Sequence, residues 1–127
     1  MPLNTRIVQV CLFIVGAIGL FGGTVQMILG QPTTTPRLDN IHRFMAGVYF
    51  MAGMIGIWAA WTVRTQGTLV YLLAVGVLFG ALGRIISIAT VGLPEPAGLW
   101  IGYLVPELLV PPILIVFHYL NTKNRSA

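Results

Sequence analysis

Four apolar runs, at residues 7–29, 44–63, 69–91 and 99–120, each come close to the roughly 20 residues a helix needs to cross a bilayer core. Such a chain has few folding options, because no water is available in lipid to satisfy stray backbone N–H and C=O groups. The runs predict helices. The breaks between them read GQPTTTP from Gly30, RTQGT from Arg64 and GLPEPAG from Gly92, combining Gly, Pro and short polar stretches as helix ends do. Short connections make consecutive helices antiparallel, so the predicted fold is all-α: one domain over residues 1–127, folded as an up-down four-helix bundle in a membrane. The first run exceeds the about 7 to 15 apolar residues of a signal peptide and no A-x-A-like site follows, so it reads as a retained helix.

Composition agrees. Hydrophobic residues make up 57% of the chain and charged ones 8%, whereas about a quarter of a soluble domain is charged. The net charge of +4 comes from scattered Lys and Arg. They form no basic run or aromatic-interleaved patch, which argues against a nucleic-acid partner. Cys11 is the single cysteine, so neither a disulfide nor a cysteine-based zinc site can form within the chain. Near the helix ends, Arg6, Arg64, Lys123 and Arg125 fall on the side that holds both termini, against Arg37 and Arg43 on the other. The excess of Lys and Arg predicts that both termini are cytoplasmic. Trp58 and Trp61 then suit the inner interface, and Trp100 and Tyr103 the outer one.

Lipid tails give helices no hydrophobic reason to associate, so spanning helices meet through small residues. Three helices carry such a stripe: Gly16, Gly19, Gly23 and Gln26; then His42, Ala46, Tyr49, Gly53, Gly56 and Ala60; then Gly76, Gly80, Gly83, Ser87 and Thr90. Steps of three and four put each set on one face. The expectation is packing against neighbouring helices, with Gly80 and Gly83 structural; the sharper alternative is that glycine leaves room for a ligand. The fourth helix differs, carrying Pro106, Pro111 and Pro112. Their missing N–H groups leave the carbonyls of Gly102, Glu107 and Leu108 without helical partners, which predicts a kink or opening around Glu107.

Two charges stand at similar depth in the last two spans. Arg84 falls roughly 10 Å below the outer boundary and Glu107 about 12 Å below it, at 1.5 Å rise per residue. Alone, each costs at least about 2.5–3.5 kcal/mol at mid-membrane, so the sequence predicts an Arg84–Glu107 ion pair. A bidentate guanidinium could also satisfy a freed carbonyl of helix 4. Gln26, His42 and Arg43 gather on the same outer side, and with the pair they outline a polar pocket for a lipid headgroup or small amphiphile. Asp39 and Asn40 are placed as helix-2 caps, leaving His42 and Arg43 in the first turn.

The alternative partner is another membrane protein or a second copy of the chain, with the protein an accessory subunit and the ion pair a clamp. A transporter or proton path through helix 4 ranks lower, because the inner half of the bundle has almost no polar residue beyond Cys11. Lowest is an isomerase-like enzyme using Glu107 with His42 as acid and base. His42 and His118 lie at opposite ends, so no metal set closes, and Ser87, His42 and Asp39 make no triad because Asp39 and His42 share one helical turn. No catalytic residue and no cofactor motif is identified.

Three strings, LDNIHRFMAG from Leu38, LGRIISIATVGLPEP from Leu82 and PELLVPP from Pro106, together resemble the bacterial family of small four-helix membrane proteins catalogued as domain of unknown function 4345. The likeness runs from helix 1 to helix 4. It implies a compact, multi-pass protein of the bacterial inner membrane and brings no assigned activity. The residues in its motifs are Asp39, Asn40, Arg43, Arg84, Pro94, Glu107 and Pro111.

Overall fold

The computed structural model describes residues 1–126, and these are helical almost throughout: α1 (Leu3–Leu29), α2 (Pro36–Trp61), a 3-10 turn (Val63–Thr65), α3 (Thr68–Val91) and α4 (Ala97–Ser126). No strand occurs among the described residues. All four α-helices are long and apolar enough to cross a membrane. Gly30 and Gly92 end α1 and α3 at φ 64° and 93°, a left-handed backbone in which only glycine avoids a Cβ clash.

Helices α1 and α2 start well before their apolar runs. At α2 the N-cap is Thr35, not Asp39 or Asn40: its side chain accepts from Leu38 N at 3.3 Å, and Pro36 follows at the first helical position. Proline fits there because its missing N–H would have no intrahelical partner anyway. Asp39 instead lies in the first turn, where its charge suits the positive end of the helix dipole. His42 and Arg43 accordingly lie beyond the first turn.

The described residues resolve into two compact units, residues 9–63 and residues 1–8 with 64–126. In the first, α1 and α2 form an antiparallel hairpin held by its glycines. A Cβ on Gly53 would lie 2.5 Å from Leu20 N, one on Gly19 2.8 Å from Gly53 Cα, and one on Gly23 2.8 Å from Ala46 O. The backbones are in contact, as the two stripes predict. Gln9 adds a bond from Nε2 to the Ala60 carbonyl at 3.0 Å.

In the second unit α3 and α4 run antiparallel, with Val70, Ala74 and Ala81 of α3 buried, as are Pro111, Leu114 and His118 of α4. The glycines of α3 do not share this packing: a Cβ on Gly76, Gly80 or Gly83 would meet nothing within 4 Å. Ala74 and Ala81 turn the helix so that the glycine stripe faces away from α4. The opening expected around Glu107 does not occur either. α4 is one α-helix through Pro106, Pro111 and Pro112. Proline's fixed φ is helical, and without competing water the remaining ladder holds although three N–H donors are missing.

Candidate functional site

Arg84 and Glu107 meet as the depth argument requires. The Arg84 Nε–H donates to both carboxylate oxygens, at 2.8 Å to Oε2 and 3.0 Å to Oε1. The contact is therefore not the two-nitrogen fork of a bidentate pair. No bond runs from Arg84 to a proline-freed carbonyl of α4 among the described residues. The pair is partly screened from its surroundings, with side-chain exposures of 32% for Arg84 and 19% for Glu107.

Two aromatic rings complete the setting. The Arg84 Cζ stands 5.4 Å from the Tyr103 ring centroid and 5.8 Å from that of Trp100, within range of cation–π attraction. The rings are 5.8 Å apart at 67°, an edge-to-face arrangement. Trp100, Tyr103 and Glu107 follow one another at steps of three and four, so α4 presents them as one stripe to the guanidinium. Such contacts contribute about 0.5–1 kcal/mol each where exposed and more where desolvated. They hold the cation against α4 through its π-face and its Nε edge. Among the described residues neither terminal nitrogen donates to a protein group, and the buried Trp100 Nε1 also has no hydrogen-bond partner.

The other candidates belong to the α1–α2 unit. Arg43 acts as a staple at its turn: Nε donates to Asp39 Oδ2 at 2.9 Å, and Nη1 donates to the carbonyl of Met27 in the last turn of α1. Carbonyls there have no intrahelical donor, and a cation suits the negative end of the helix. Gln26 is exposed near the end of α1, and its backbone carbonyl accepts from Gly30 N at 3.0 Å. His42 is half-buried, with no hydrogen-bond partner for Nδ1. Asn40 is exposed. Of the five proposed ligand-binding residues, Arg84 and Glu107 are joined directly, while Arg43 is committed to Asp39 and α1.

Sequence reasoning missed the aromatic platform, reading Trp100 and Tyr103 only as interface anchors. Their spacing to Glu107 carried the signal. No three His, Cys, Asp or Glu residues gather into a metal-binding group among the described residues.

Four membrane-length apolar helices, with a charged pair held between the last two, define a multi-pass helical membrane protein. The chain belongs to the family described as domain of unknown function (DUF4345), which matches residues 4–118. No curated protein and no solved structure matches it.

Proposed function

We propose that Arg84, set on Trp100 and Tyr103 and oriented by Glu107, recognises the anionic headgroup of a membrane lipid or small amphiphile. The observation that carries this reading is the unused edge of the guanidinium: Glu107 takes only Nε, and both terminal nitrogens donate to no protein group among the described residues. Unpaired donors are costly in hydrocarbon, and an acceptor-rich phosphate or carboxylate would satisfy two of them in parallel. An amphiphile suits the surroundings, since Leu99, Ile101, Val105 and Leu108 of the same helix are exposed to its tail. The membrane is taken to be the bacterial inner membrane on the family resemblance, and both termini to be cytoplasmic on the distribution of Lys and Arg.

Native mass spectrometry of gently purified protein tests the proposal. Wild type should carry a lipid-sized mass that Arg84→Gln loses while keeping its helical circular dichroism. Equal lipid retention in the variant would refute it.

A second reading has its own support. The α3 stripe of Gly76, Gly80 and Gly83, open along its length, suits close approach by a helix of another protein, as an accessory subunit would need. Cross-linking from Ser87 or Thr90 substituted by a photoreactive residue would capture such a partner. Capture of lipid alone would count against it.

A further inference from the structure

A second polar cluster lies at the opposite end of the α3–α4 unit. His118 is fully buried, with Nε2 2.8 Å from the Gly67 carbonyl and its ring edge-on to Tyr71 at 4.8 Å. A carbonyl can only accept, so Nε2 carries the proton, and the Nδ1 of a neutral ring is left as an acceptor. One helical turn later, Asn121 is 5% exposed and accepts from Thr5 Oγ1 at 3.3 Å through Oδ1. Among the described residues no protein group reaches His118 Nδ1 or Asn121 Nδ2. One is an acceptor and the other a donor, and both are closed off from the surroundings.

We infer that His118 Nδ1 and Asn121 Nδ2 together bind one internal water molecule. Residues three apart share one face of a helix, and a water between the two nitrogens makes two hydrogen bonds of about 2.8–3.0 Å. The water donates to the imidazole and accepts from the amide. If the amide is turned over, so that its oxygen faces the histidine, a water with two O–H groups donates to both; either orientation is served. Through this water α4 gains a continuous polar link from the Gly67 carbonyl, at the entry to α3, to Thr5 at the start of α1. Buried waters of this kind satisfy polar groups that the protein itself leaves unpaired.

Solid-state NMR on protein in lipid bilayers, with 15N-labelled histidine in a His42→Gln background, reads the site directly. The expected spectrum shows His118 as the Nε2–H tautomer, with polarisation reaching Nδ1 from water protons; Asn121→Leu keeps the tautomer and loses most of that transfer. A protonated Nδ1, an Nδ1 that receives nothing from water, or a transfer unchanged by Asn121→Leu would overturn the assignment. If the variant fails to fold, a high-resolution structure of the unaltered protein decides. An ordered oxygen within hydrogen-bond reach of both nitrogens supports the site, and protein atoms on both nitrogens refute it.

Discussion

Arg84 gives Glu107 a single N–H, shared between carboxylate oxygens 2.8 and 3.0 Å away, and its two terminal nitrogens donate to no protein group among the described residues. A pair serving only to neutralise two charges would gain more from the parallel two-nitrogen fork. The end-on geometry, with Trp100 and Tyr103 beside the guanidinium, anchors the cation on α4 and leaves its outer edge available.

Arg84→Ala should destabilise the protein by about 1–3 kcal/mol, because it leaves Glu107 without its donor in a poorly solvated setting. Arg84→Leu combined with Glu107→Leu should recover much of that loss, since replacing both partners by apolar groups removes the stranded charge. Thermal unfolding in detergent of Arg84→Ala, Arg84→Leu, Glu107→Leu and the double variant checks both statements, the last three closing a double-mutant cycle with the wild type.

The glycines of α1 and α2 should be far less tolerant than those of α3. A side chain at Gly53 meets the backbone of α1 at 2.5–2.8 Å, so Gly53→Val forces the helices apart, at a cost of roughly 1–3 kcal/mol. Gly80→Ala meets nothing within 4 Å and should be neutral or stabilising by up to about 1 kcal/mol through helix propensity. Melting temperatures of the two variants, measured side by side, should separate in that order.

At the α1–α2 turn, Gly30→Ala meets two obstacles: a φ of 64°, and a Cβ position 2.7 Å from Arg43 Nη2. A loss of about 1–2 kcal/mol follows from the backbone alone. Arg43→Met removes the cap on the Met27 carbonyl and should raise amide hydrogen exchange in the last turn of α1, while exchange in α3 and α4 stays as it was.

Thr35→Ala should cost about 1 kcal/mol and fray the start of α2, whereas Asn40→Ala should leave it intact. Hydrogen exchange at Leu38 N reads the difference.

The spans and the central pair were legible because they follow from length and depth. Apolar runs mark helices that water cannot solvate, and two lone charges at similar depth have one inexpensive solution. What stayed hidden depends on rotation about helix axes. The GxxxG pair Gly76–Gly80 looks the same in sequence as Gly19–Gly23, yet only the second meets another backbone. Trp100 and Tyr103 suit an interface belt as well as a platform for Arg84, and rotamers decide between these uses. The start of α2 was misplaced because the polar stretch before Phe44 obscured Thr35 and Pro36, a cap followed by a first-turn proline. The prolines of α4 do not open the helix around Glu107, since three missing donors do not break a helix whose other bonds hold.

Binding at Arg84 can be read through its neighbour Trp100. In a Trp58→Phe, Trp61→Phe background Trp100 is the single tryptophan, and the emission of the detergent-solubilised protein can be followed while a phosphate-headgroup amphiphile is titrated in. The account predicts a saturable change that is lost in Arg84→Gln and weakened at least several-fold in Arg84→Lys, which keeps the charge but not the planar donor edge. A flat titration, or the same saturable change in Arg84→Gln, would contradict it.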